Sequence, residues 1–145
     1  MNGSINDLIK TANEKHYDKN KEYLRKGQFQ KCRYRGLKPE MCRLFLIDML
    51  QALYYCHNIV KIIHPDIKPD NIMVNHNNEA VLIDFGVSAL LEDKKQDPSK
   101  QTVGTFQYFA PEMFKKKEEK KLGAAVDIWA LGVTMYYMLT GQHPH

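Results

Sequence analysis

The chain has 145 residues, 43% of them hydrophobic, and a formal net charge of +4. That is about one domain with enough apolar residues for a core, and the small basic excess, spread among acids, is no nucleic-acid signature by itself. Three cysteines without a CxxC suggest neither a disulfide framework nor a zinc site. With no basic leader and no run of roughly 20 apolar residues, the expectation is a soluble, cytoplasmic protein with no membrane or nucleic-acid partner; the nucleus stays open.

In chain order, Ser4 reads as the N-cap of a short helix, with Ile5, Leu8, Ile9 and Ala12 at helical spacing. Residues 13–36 turn polar and read as an insertion, a loop or partly helical, for which disorder is expected. In LKPEMCRLFLIDMLQALYYCHN, Pro39 suits the first helical position and Glu40 the first turn. Met41, Leu44, Phe45, Asp48, Met49, Ala52, Leu53 and Cys56 trace one face, widened by Leu46 and Leu50. This predicts a long, largely buried helix.

The next stretch is IIHPDIKPDNIMV. Pro65 and Pro69 forbid a regular helix, so it reads as a shaped loop leaving into a strand over residues 72–74. NHNN, Asn75 to Asn78, supplies turn chemistry before a second strand over residues 80–83, and DFG follows. A long connection with a polar middle runs through residues 87–110, of a length usually functional or mobile. KKKEEKK alternates in sign and reads as a solvated loop or helix end. The segment 124–140 is apolar on nearly all sides, which predicts a helix buried all round. His143 and His145 read as a solvated chain end rather than a metal site. The sum is an α-rich α+β body around one central helix, with no internal repeat.

The hairpin can bring Asp84 back beside the loop that carries Asp66 and Asn71. Paired strands lie about 4.8 Å apart. A carboxamide and a carboxylate at that separation can hold a hard cation such as Mg²⁺, which takes oxygen ligands and keeps waters or phosphate oxygens. Asp66 then remains free to orient a hydroxyl or accept its proton. Lys68 could neutralise a transferring group, and Gly86 lets the backbone turn sharply after Asp84. The bland alternative is a turn with a satisfied surface Asp beside an ordinary strand end; it weakens when both fragments are joined by one hairpin.

HPDIKPDN, then IDFG, then GTFQYFAPE, then DIWALGVTMYYMLTG, in that order over residues 62–141, resemble the eukaryotic protein kinases, whose pattern is H-R-D-L-x-x-x-N, D-F-G and A-P-E. Lys68 in DIKPDN is the form typical of serine/threonine kinases. DFGVS, TVGT and the last apolar segment most resemble calcium/calmodulin-dependent protein kinase kinases and related upstream kinases. The resemblance implies the mostly helical large (C-terminal) lobe, with residues 62–71 as catalytic loop, 84–112 as activation segment, 124–140 as buried central helix and a short hairpin carrying the catalytic and DFG segments. It implies a protein serine/threonine kinase using ATP and Mg²⁺ on a protein substrate; the sequence is silent on calmodulin. Asp66 would accept the substrate proton and Lys68 steady the γ-phosphate. Asn71 and Asp84 would hold Mg²⁺, and Met73 would floor the adenine. Thr105 would contact Asp66 and Lys68, Glu112 would anchor the docking platform, and His64 and Phe85 would stack in a spine reaching Asp127. Thr102 and Ser99 would be candidate phosphorylation sites.

Two departures stand out. No two of the eight glycines are two apart, so the G-x-G-x-x-G loop and its strand Lys fall outside these residues. The expectation is therefore a partial kinase domain over 1–145 without the small N-terminal lobe, inactive alone; the alternative is a non-catalytic kinase-like binding module. Pro65 also stands where most of the family has Arg. Proline cannot clamp a phosphate on Thr102 or Ser99.

Overall fold

The computed structural model describes residues 3–26, 36–90, 104–115 and 122–144, without the side chains of 16–25, 87 and 89. Cys32, Ser99, Thr102, His145 and most of the Lys115–Lys121 run lie outside the described residues.

Helix α1 spans Ile5–Arg25. Ser4 opens it: Asp7 N donates to Ser4 Oγ at 3.2 Å while Asp7 Oδ2 accepts from Ser4 N at 2.9 Å. That reciprocal arrangement satisfies two otherwise orphaned N–H groups. The bonds that Ser4 N and Ser4 Oγ donate to Asp7 Oδ2, at 2.9 and 2.8 Å, hold the Asp7 carboxyl below the usual carboxylate range. The helix runs well past the short one expected, through the first half of the polar insertion. The missed signal is that charged residues do not stop a helix; only Gly, Pro or an unsatisfied end does so reliably, and none stands between 5 and 25. Ile5 and Ile9 are buried, and Val74 N donates to Gly3 O at 2.9 Å, so the start of α1 lies on the hairpin.

Helix α2 spans Pro39–Tyr54, with Pro39 in its first turn as expected. Cys42, Phe45, Met49 and Leu53 form its buried stripe, and fully burying side chains of this size stabilises by about 1.5–3 kcal/mol each. Leu44 and Leu50 face outward, contrary to the broad face expected. The spacing of α2 already gives a stripe one residue wide per turn, and adding every nearby leucine overfilled it. A wider π-helical turn, Tyr55–Val60, extends α2 and stops at Lys61, whose φ of 63° is left-handed.

Strand β1, Ile62–Ile63, pairs antiparallel with β4, Ala89–Leu90. Neither short strand was legible in the sequence. Strands β2, Ile72–Val74, and β3, Ala80–Leu82, form the expected hairpin, with Ile72 opposite Leu82. Asn75 Oδ1 accepts from Asn77 N and Glu79 N, and Asn78 takes a φ of 62°, which closes the turn. The second strand ends one residue earlier than expected: Ile83 N still bonds to Asn71 O opposite it at 2.9 Å, but Asn71 already belongs to a 3₁₀ turn and Asp84 is left-handed.

Helix α3, Ala125–Thr140, packs against α2 through Ala130, Leu131, Val133 and Met138. It is not buried all round: Ile128 is 49% exposed, Trp129 42% and Tyr136 46%. A helix's own hydropathy says that cover is wanted, not which neighbours supply it; among the described residues this stripe has none. No described helix is long and apolar enough to cross a membrane.

Candidate active site

Three elements converge on one carboxylate. Pro65 and Pro69 keep residues 64–71 out of regular helix, and a single 3₁₀ turn, Pro69–Asn71, delivers the chain into β2. Asp66 sits on that loop, its side chain 14% exposed. Its Oδ2 accepts from Lys68 Nζ at 2.7 Å and from Asn71 Nδ2 at 2.9 Å. Its Oδ1 accepts from Thr105 N at 2.9 Å and from Thr105 Oγ1 at 3.1 Å. Lys68 Nζ also donates to Thr105 Oγ1 at 2.8 Å. Each Asp66 oxygen thus receives two donors, and of the four only Lys68 Nζ, on Oδ2, is a cation; bonds to an ionised carboxylate are the strong ones. The loop and the later segment around Thr105 are tied through these few atoms.

The hairpin sets the second half of the site. The bond from Ile83 N to Asn71 O places Asp84 at the same end of the ribbon as Asn71. Asn71 spends its Nδ2 on Asp66 Oδ2 and Asp66 O, which leaves Oδ1 as its acceptor. Asp84 is exposed and left-handed, φ 63° and ψ 65°, and among the described residues accepts a long 3.4 Å bond from Gly86 N. A non-glycine residue held there is strained by roughly 1–3 kcal/mol, and such strain gathers at functional positions. No three His, Cys, Asp or Glu residues among the described ones could share a metal. A cation here would have one carboxylate and one carboxamide, the donor set Mg²⁺ accepts when waters or phosphates fill the remaining positions.

Behind the loop, His64 is fully buried and meets Phe85 edge-on, ring centroids 5.0 Å apart. His64 Nε2 lies 3.0 Å from Ile83 O, a carbonyl that can only accept, so Nε2 carries the proton. Its Nδ1 has no partner among the described residues. His64 N donates to Asp127 Oδ2 at 2.8 Å, which joins the loop to α3. His57 Nε2 donates to the same oxygen at 2.7 Å. The next residue, Pro65, has no N–H to offer, and Asp127 Oδ1 is buried with no partner among the described residues. Burial pushes the Asp127 carboxyl up, opposed by the bonds from His57 and His64.

Met73 is half-buried on β2, its register partner Val81, with Ser4 bridging to it. Gly86 lies in the turn Phe85–Val87, and Glu112 is half-buried in the turn Pro111–Phe114. The sequence reading missed three residues. His57 holds Asp127, Asp70 accepts from Asn6 Nδ2 at 2.7 Å to tie α1 to the loop, and Gly104 packs against Pro65. A His closing an apolar helix was the available signal for His57; the bond between Asn6 and Asp70 spans 64 residues and left none. His143, expected as a solvated chain end, is instead half-buried between tyrosines.

With this geometry in view, the comparisons with known proteins are direct. The family described as "Protein kinase domain" matches residues 5–145. The chain is 45% identical over 100 residues to the striated muscle preferentially expressed protein kinase of Danio rerio, covering 69% of this chain and 3% of that protein. It is 38% identical over 125 residues to CBL-interacting protein kinase 10 of Oryza sativa subsp. japonica, covering 85% and 27%. It is also 38% identical over 125 residues to CBL-interacting serine/threonine-protein kinase 20 of Arabidopsis thaliana, covering 85% and 28%. The chain therefore spans under a third of the length of these relatives.

Proposed function

The chain belongs to the protein kinase family, and from that premise we propose that its Asp66 centre serves transfer of the ATP γ-phosphate to a serine or threonine hydroxyl of a protein. The observation that carries this reading is the Asp66 carboxylate held by Lys68, Asn71 and Thr105, with Asp84 at the adjoining hairpin end.

Phosphoryl transfer needs little covalent help and much positioning and charge neutralisation. Asp66 orients the acceptor hydroxyl and takes its proton. Both Asp66 oxygens are fully bonded here, so the hydroxyl must replace one donor. Lys68 is the one suited to leave, because its flexible ammonium can swing from Asp66 to a phosphate oxygen while Thr105 and Asn71 keep the carboxylate in place. Asn71 Oδ1 and Asp84 would hold Mg²⁺, which when bound offsets charge on the nucleotide phosphates. Met73 would lie under the adenine, and Glu112 and Thr105 would shape the surface that receives the peptide. Thr102 or Ser99 would be the regulatory phosphorylation site, without a clamp at Pro65.

The phosphate-cradling glycine pattern is not within these residues, so the chain alone is expected to bind nucleotide weakly and transfer little phosphate. That same feature favours the second reading, a kinase-like binding module without catalysis. Titrating the ¹⁵N-labelled chain with Mn²⁺ and ADP separates the two. The first reading expects paramagnetic broadening centred on Asn71 and Asp84 and lost in Asp84→Asn. Broadening elsewhere, or none at millimolar Mn²⁺–ADP, would overturn it.

A further inference from the structure

Three rings meet just past the end of α3. The imidazole of His143 lies flat on Tyr137, with centroids 4.3 Å apart and planes 10° apart. Tyr108 meets the same imidazole almost perpendicularly, at 5.3 Å and 82°. Tyr108 is buried, and it closes the turn Phe106–Tyr108 with its N donating to Thr105 O at 2.9 Å. Thr105 in turn gives Asp66 Oδ1 both of its donors. Contacts thus run without a gap from Tyr137 through His143, Tyr108 and Thr105 to Asp66.

We propose that His143 is a positioning residue: its neutral ring pins Tyr108 to α3 and so holds Thr105 on Asp66, and protonation of that ring releases the hold. A neutral imidazole stacks as an ordinary aromatic. The protonated ring has two N–H donors, and Nδ1 is buried with no partner among the described residues. Attraction of a cation to the Tyr137 face works the other way. The charged ring would bury an N–H donor at Nδ1 with no acceptor among the described residues, a cost that outweighs one face contact, and burial lowers the pKa of His143. Among the described residues, Tyr137 on α3 and Tyr108 on the turn are the titratable groups against the His143 ring, and Asp70 and Asp66 on the loop act on Tyr108 behind it. Burial raises the Tyr108 phenol most, helped by Tyr137 and those two carboxylates, so Tyr108 stays protonated across the acid range. The catalytic meaning of the hold rests on the role given to Asp66 above. The Thr105 to Asp66 bond is measured directly, so the two ideas fail separately.

The test is amide hydrogen exchange and the ¹⁵N shift of Thr105 in the whole chain between pH 4.5 and 8, for wild type, His143→Phe and His143→Ala. Wild type should show at least a tenfold loss of Thr105 protection as pH falls. His143→Phe, which stacks but cannot be protonated, should keep that protection throughout. His143→Ala should lack it at every pH. If His143→Ala does not fold, wild type against His143→Phe decides alone. The inference is wrong if His143→Phe follows the wild-type pH profile, or if folded His143→Ala protects Thr105 as well as wild type does.

Discussion

Asp48 stands on the core-facing side of α2, where an acid looks out of place. Its Oδ2 accepts from Ala80 N at 2.8 Å, the first amide of β3, and Ala80 is only 8% exposed. Removing the carboxylate in Asp48→Ala loses a charge-assisted bond, worth about 1.5–3 kcal/mol net, and leaves a nearly buried N–H unsatisfied, which costs about 1–3 kcal/mol. The two figures overlap, since both describe the same amide, so the expected loss is about 2–3 kcal/mol. At this chain length that is a fall in Tm of about 7–10 °C. Asp48→Asn keeps an acceptor at the same place and should lose only about 1 kcal/mol. Urea unfolding followed by circular dichroism, fitted with a common slope, measures both. Because β3 runs directly to Asp84, Asp48→Ala should also weaken Mn²⁺ broadening at Asn71. A loss below 0.5 kcal/mol for Asp48→Ala, or equal losses for both variants, would refute the reasoning and make this an ordinary surface contact.

Gly104 has a φ of 132°, and a Cβ there would lie 2.6 Å from Pro65 O. Gly104→Ala should displace Thr105 from Asp66 and abolish the Thr105 amide protection while costing about 1–3 kcal/mol of stability; exchange and melting curves read the two effects. Burial raises the Asp127 carboxyl, so the native state binds that proton more tightly than the unfolded chain does. This stabilisation is present at low pH and fades as pH rises through the raised value, and Asp127→Asn should flatten that stretch of the Tm–pH curve. The Cys42 thiol is pushed up to about 11 by burial, so it should resist iodoacetamide at pH 8 in the native chain and react in urea; rapid native labelling, mapped by mass spectrometry, would contradict its burial.

The loop that carries Asp66, the hairpin after it and the two long helices that pack together were legible in the sequence. Pro65 and Pro69 announce a loop by removing donors, NHNN announces a turn, and the 3–4 spacing of Phe45, Met49 and Leu53 announces a buried stripe, to which the structure adds Cys42. These are local rules, acting within a few residues, and they placed Asp66, Asn71 and Asp84 within one hairpin's reach of each other. The tertiary structure alone decided what those residues touch. Four donors on Asp66 come from positions up to 39 apart, and His57 reaches Asp127 across 70. The same holds for exposure: α3 and α2 are apolar enough to bury more than they do, and only the packing of neighbours left Trp129 and Leu44 outside. Hydropathy states a demand for cover and the backbone period states its direction, but which partner meets it depends on contacts between segments far apart along the chain.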